Sequence, residues 1–435
     1  MIADSIEGQP SGRTDRIVTL DAIRGVAVIG ILLMNIISFS MPMAAYINPN
    51  AWPEMAGGVR FADDAAYALS FIFVDGKMRG LFSLLFGASM VLVLDRAEAR
   101  DQNGGKVHFA RMLSLFLIGL FHMYFIWHGD ILTLYAMCGM IVFLFLDKSP
   151  GTLIKIGIGC IVFAFIMWAL IGFAAIGADY VPIPQDHLSK DSAAEMDSLR
   201  SMLGRDAAAQ MKEVIAMRGD YAEIFRYRAA KLAAPMGQFV MAGAETVGLM
   251  AIGAALMRQG FFSGQADDAH AVWSRARLQR LIVRFAPVSI IALAVMVGAL
   301  WYYGFPAGFT FAAATGFSLP FDYLLAIAYA GLLVLWVSAN QETALVQRLA
   351  AAGRAAFTNY LGTSVVMTTI FYGYGLGLFG KVGRAEVYLF VVGAAIMMLA
   401  WSQPWLKRFH YGPMEWLWRS LARMKLQPMR RTASV

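Results

Sequence analysis

Charge is scarce in this chain. Of 435 residues only 15% are Asp, Glu, Lys or Arg, against about 25% in an ordinary soluble domain. With 59% apolar residues and a mean hydropathy of +0.59, that shortage excludes a soluble enzyme and a disordered chain. Cysteine is scarcer still: Cys138 and Cys160 are the whole complement. Both sit inside apolar runs with no C-x-x-C or Cys/His spacing, so a disulfide scaffold is excluded and buried free thiols are expected. His108, His187 and His410 are scattered over expected surface segments and form no ligand spacing with carboxylates, so no metal is expected. The chain also lacks an H-E-x-x-H, a nucleophile elbow and a Rossmann fingerprint. Gly375-Leu-Gly-Leu-Phe-Gly380-Lys381-Val382 imitates a P-loop, but Val382 replaces the Mg²⁺-binding hydroxyl and no strand precedes it.

What is present is length of apolar run. Residues 25–39 and 154–176 are apolar but for Asn35, Ser38 and Lys155, which excludes the alternating pattern of a membrane β-barrel. Runs at about 19–39, 65–94, 109–127, 130–146, 152–177, 232–257, 284–303, 317–338, 354–373 and 385–403 predict ten crossings, since roughly 20 residues of helix cover a hydrocarbon core of about 30 Å. The fold class is therefore all-α, a polytopic membrane protein.

Basic residues set the orientation. With a cytoplasmic N-terminus the inner flanks carry Arg13, Arg16, Arg24, Arg96, Arg100, Lys106, Arg111, Lys148 and Lys155. They also carry Arg258, Arg275, Arg277, Arg280, Arg284, Arg348, Arg354 and the cluster from Lys407 to Arg431, whereas the short outer loops hold only Arg60, Lys381 and Arg384. Both termini are thus expected in the cytoplasm, and the net charge of +7 reads as topological, with no nucleic-acid partner. The first span has no cleavage-site pattern and reads as a retained helix. Residues 1–403 read as one transmembrane domain. Within it, segment 178–231, with Pro182, Pro184 and a Ser/Asp-rich stretch at 189–198, predicts a periplasmic cap of one or two amphipathic helices near the membrane surface. Residues 404–435 read as a cytoplasmic amphipathic helix and tail.

Ionisable groups inside spans point to a buried site or an internal pair. Asp75-Gly76-Lys77-Met78-Arg79 falls near the middle of the 65–94 run, roughly 16–22 Å from its outer end. Either one long helix turns these charges into a polar cavity, or Gly76 breaks it in two. The bland alternative is a self-neutralising set. His122 lies about 7–8 Å below the turn that carries Trp127, His128 and Asp130; there it can accept a proton while Asp130 orients it. Asp21 and Arg24 form an i,i+3 pair on the first helix, with Asn35 deeper on the same helix, a place suited to an anionic cofactor, although spacing alone favours a plain inner-surface anchor. Glu245 is a lone carboxylate needing a partner such as Lys77 or Arg79.

Leu20-Asp21-Ala-Ile-Arg24-Gly25 with Asn35, Gly76-Lys77 leading into Leu81-Phe82-Ser83-Leu-Leu-Phe86-Gly87, and Gly119-Leu-Phe-His122 through Gly129-Asp130 to Tyr135-Ala136 form one pattern. With Thr358-Asn359-Tyr360-Leu361 and the closing Gly412-Pro-Met-Glu415-Trp416-Leu-Trp418-Arg419, it resembles the YeiB family of bacterial inner-membrane proteins over nearly the whole chain. The opening helix is similar to that of transmembrane acyltransferases, among them heparan-alpha-glucosaminide N-acetyltransferase and the acyltransferase-three O-acetylases. That resemblance implies transfer of an acyl group from cytoplasmic acyl-CoA, acetyl-CoA above all, to a sugar-like acceptor. The O-acetylases carry a catalytic His where this chain has Asn35, as the heparan enzyme does, so the base falls to His122 or another group. No residue aligns with the heparan enzyme's own catalytic His.

The leading expectation is acyl transfer: Asp21, Arg24 and Asn35 at the cofactor, Lys77 and Arg79 on its phosphate or pantetheine or on the oxyanion, and His122 with Asp130 as base. Asn359 and Tyr360 are further intramembrane polar residues of the pattern. A proton-coupled transporter using Asp75 and Glu245 is the alternative, and a scaffold of structural pairs is a third. Membrane lipids and a small-molecule acceptor are the expected partners, with homo-oligomerisation left open.

Overall fold

The computed structural model describes residues 18–52, 60–180, 203–204, 206–232, 237–263, 268 and 271–431. Arg13, Arg16, Pro182, Pro184, His187 and the 189–198 stretch lie outside the described residues.

Helices follow one another throughout: α1 (Val18–Ser40), α2 (Met43–Ile47), α3 (Arg60–Phe73), α4 (Lys77–Glu98), α5 (Gly104–Phe121), α6 (Leu132–Phe143), α7 (Pro150–Tyr180), α8 (Ala207–Arg218) and α9 (Tyr221–Leu232). Then come α10 (Gly237–Arg258), α11 (Arg275–Tyr302), α12 (Ala307–Ala312), α13 (Leu319–Ala339), α14 (Ala344–Arg354), α15 (Ala356–Phe371), α16 (Val387–Arg408) and α17 (Pro413–Ala422). Among the described residues, eight helical stretches are long and apolar enough to cross a membrane. The runs at 130–146 and 354–373 form the 12-residue α6 and the 16-residue α15, shorter than those eight. Phe163, Leu170 and Phe173 on α7 and Val283, Ile291 and Val295 on α11 are exposed. Such long apolar faces are satisfied by lipid and not by water, and the chain is a multi-pass α-helical membrane protein.

The 65–94 run is broken. Val74 and Asp75 both donate their backbone N–H to Ser70 O, and Gly76 turns at φ +75° before α4 begins. Only glycine takes that conformation without strain, and a Cβ there would also run into the Asp322 carboxylate of α13. Further along α4, Gly87 lies on the Met250 backbone while Gly253 of α10 lies on that of Leu84. The two helices therefore cross at backbone contact, the use of small residues expected in a bilayer.

One core joins α1, α5, α15 and α16; a second joins α1, α4, α10 and α13. α8 and α9 do not simply lie on the surface: Val214, Met217 and Ile224 enter the first core beside Phe39 and Phe371. α16 runs on past residue 403, and α17 folds back onto α5 and α15. Cys138 is buried and Cys160 half-buried. His108, expected at the surface, is buried in α5 and bonds the Gly139 carbonyl at 3.0 Å, because the helix continues inward beneath α6. His410 is exposed.

Candidate functional site

At the end of the bundle where α1 begins and α16 finishes, a cavity of about 500 Å³ enters between α1, α4, α5, α6, α15 and α17. Its walls hold Arg24, Arg96, Arg100, Arg111, Arg354 and Arg419 against two carboxylates, Asp21 and Glu415. Arg24 is aimed by two bonds, to Asp21 Oδ1 at 2.9 Å and to Ser89 Oγ at 2.8 Å. The Arg111 guanidinium lies 4.1 Å over the Trp418 ring, whose N–H donates to Arg111 O at 2.8 Å; Arg419 lies 4.6 Å over Tyr411. Burial, foremost, and the neighbouring cations Arg423 and Arg96 hold Arg419 below the ordinary guanidinium range. Like charges crowded in a partly buried space favour an anion between them.

α17 shapes this mouth. Glu415 accepts the backbone N–H of Phe357 at 2.7 Å and of Thr358 at 3.1 Å, and the Thr358 hydroxyl at 2.5 Å. It thereby caps the first turn of α15. Burial raises the Glu415 pKa above its ordinary value, with the Thr358 bonds working against it.

The inner end of the cavity is lined by Ile131, Tyr135 and Tyr360. Behind Tyr360, its ring 5.4 Å away, stands His122, in the first residue of a π-helical turn, His122–Ile126. Such turns are frequent at functional sites. His122 Nδ1 is 2.8 Å from Asp130 Oδ1, and both side chains are fully buried. The other Asp130 oxygen accepts the Thr133 N–H at 2.8 Å and hydroxyl at 2.9 Å. In the neutral tautomer that carries its proton on Nδ1, the ring donates to Asp130. That leaves His122 Nε2, which has no bonding partner, with its lone pair free.

The central charges are arranged differently. Lys77 does not pair with Asp75: its Nζ meets Asp322 Oδ1 at 2.6 Å and donates to the Phe71 carbonyl left open by the helix break. Ser318 holds the second Asp322 oxygen at 2.8 Å. Arg79 pairs with Glu245, which also accepts from the Tyr323 hydroxyl, and Asp75 accepts from Ser70 at 3.1 Å. The self-neutralising set is therefore excluded. Neither Lys77 nor Arg79 lines the cavity, although Tyr135, which does, bonds Arg79 O at 3.3 Å and Ser83 at 2.6 Å.

Asp21, Arg24 and Tyr360 thus share one cavity, with His122 and Asp130 behind it. Half-buried Asn35 is not part of its wall. Asn359 pins helices together, donating to Ala352 O at 3.0 Å and accepting from the Trp401 N–H at 2.8 Å. Sequence reasoning misses Asp322, although an acid inside an apolar run is the same signal that singles out Glu245. It also reads Arg96, Arg100, Arg111, Arg354 and Arg419 as topological alone.

Three comparisons bear on identity. The family described as "Protein of unknown function (DUF418)" matches residues 256–425. "Uncharacterized protein YxaH" of Bacillus subtilis is 29% identical over 435 residues, covering 98% of this chain and 99% of that one. "Uncharacterized protein YeiB" of Escherichia coli is 31% identical over 412 residues, 94% and 96% of the two chains. At that identity over nearly full length, the chain belongs to the YeiB family.

Proposed function

We propose that the protein is an inner-membrane acyltransferase that takes an acyl group from acyl-CoA, acetyl-CoA foremost, and passes it to the hydroxyl or amine of a small, sugar-like acceptor. The observation that carries this reading is a cavity walled by six arginines and by Tyr360, whose ring lies 5.4 Å from that of His122, itself bonded to Asp130. The positive-inside rule assigns the arginine end to the cytoplasm, where acyl-CoA is found. Arginine forks suit the phosphates, the Trp418 and Tyr411 faces suit a flat base, and Phe82, Phe86 and Leu115 suit the pantetheine arm. His122 Nε2 takes the acceptor proton as the acceptor oxygen or nitrogen bonds to the thioester carbonyl carbon. The carbon–sulfur bond breaks, and the proton ends on the departing thiol. Lys77 and Arg79 serve this reading through their ion pairs, which hold the broken helix.

The test is a thermal-shift titration of the detergent-purified protein with acetyl-CoA, because a ligand of the native state raises its melting temperature. A rise in the parent that is lost in Arg24→Ala supports the reading, as does coenzyme A release with an acceptor that falls about 10²- to 10⁴-fold in His122→Ala. No shift at millimolar acetyl-CoA overturns it. Proton-coupled transport then becomes the working reading, supported by the mid-span break at Gly76 with its flanking ion pairs and tested by flux into liposomes.

A further inference from the structure

At the opposite end of the bundle, around the π-helical turn, a second set of polar groups is buried without partners. Arg228 of α9 is 1% exposed, and only Nη1 is engaged, on the Ile126 carbonyl; Nε and Nη2 have no acceptor. Among the described residues no carboxylate lies within ion-pair distance of it. Trp127, the residue after Ile126, is stacked 4.0 Å from Phe39 with its indole N–H unbonded. The Tyr372 hydroxyl is likewise buried and unbonded.

These groups share neighbours. Arg228 lies 6.0 Å over Tyr221, Tyr221 is 5.8 Å from Tyr374, and Tyr374 is 6.1 Å from Tyr372. The Trp127 ring stands 6.2 Å from that of His122, on whose carbonyl the backbone N–H of Trp127 closes the turn at 2.8 Å. Two guanidinium N–H groups, an indole N–H and a phenol O–H, with one uncompensated positive charge, are what a carboxylate or phosphate needs. They offer nothing to a neutral apolar ligand. A buried cation without a counter-ion is among the costliest arrangements in a membrane protein.

We infer that the acceptor is anionic, and that Arg228, Trp127 and Tyr372 hold its carboxylate or phosphate group beside His122 on the side of the membrane away from the arginine-lined cavity. The inference rests on the acyl-transfer reading for the word acceptor; the anion site itself stands on the buried donors.

The experiment measures melting temperature of the full-length protein in detergent with acetate, inorganic phosphate, or chloride at matched ionic strength. The proteins compared are the parent, Arg24→Ala, Arg228→Gln, Arg228→Lys and Tyr372→Phe. The expected result is a rise with acetate or phosphate that persists in Arg24→Ala, and binding about tenfold or more weaker in Arg228→Gln. In Tyr372→Phe, which removes a hydroxyl the fold itself does not use, binding is weaker by a few-fold. If Arg228→Gln does not fold, Arg228→Lys and Tyr372→Phe decide the matter by the same shift. An unchanged shift in the Arg228 and Tyr372 variants, or no shift with either oxyanion in the parent, overturns the inference. Anion binding that depends on Arg228 in a protein that ignores acetyl-CoA keeps the anion site and removes the acyl-transfer reading.

Discussion

The middle of the bundle and its arginine-lined end both bury charge, and they do so in opposite ways. Around Gly76 the cations meet acids from another helix: Lys77 with Asp322, Arg79 with Glu245. At the cavity six arginines line an open volume with two acids, of which Asp21 pairs with Arg24 at 2.9 Å. Paired charge in low dielectric holds helices in place, because separating the partners strands a charge there. Charge in excess around a space remains available to a ligand. An ionisable residue in a span is therefore read by what stands opposite it.

The comparison can be broken hardest at its centre. Lys77→Ala strands Asp322 and is expected to cost about 3–5 kcal/mol, seen as a loss of folded protein on size-exclusion chromatography. Lys77→Met combined with Asp322→Leu is expected to recover most of that. If the single substitution melts like the parent, the pairing is not structural and the contrast collapses. At the cavity, exposed Arg96→Ala should leave the stability within about 0.5 kcal/mol of the parent while weakening acetyl-CoA binding and its salt dependence.

Gly76→Ala sharpens the middle of the range. The positive φ and the Asp322 contact predict a loss of about 1–2 kcal/mol or more, measured by thermal melting.

The smallest effect is a pH dependence at the mouth. Because the folded pKa of Glu415 lies above its ordinary 4.5, its contribution to stability is fully present below that pH. It is lost as pH rises through the shifted value. A melting curve that falls over that window in the parent and is flatter in Glu415→Gln bears this out; parallel curves refute it.

Much of the fold is legible in the chain because hydropathy is local. A run of about 20 apolar residues names its own helix without regard to neighbours. The break at Gly76 is half legible: glycine beside Asp75 and Lys77 marks the place, but whether the backbone turns there depends on Asp322 of α13 standing against it. His122 and Asp130 are legible as a pair because eight residues and one turn separate them. Arg228, in the cap, carries no such mark; its charge is ordinary for a polar segment until the turn at 122–126 receives it in the core.

Composition and run length alone determined an all-α membrane protein, and local motifs determined its family and where charge enters the spans. Which charge meets which, and which are left facing a space, only the tertiary structure decided. Partners such as Lys77 and Asp322, Arg79 and Glu245, or Arg111 and Trp418 lie far apart in the chain. Their meeting depends on how helices cross, which is set by the packing of whole faces and by contacts such as those at Gly87 and Gly253, and no local window of sequence contains that geometry.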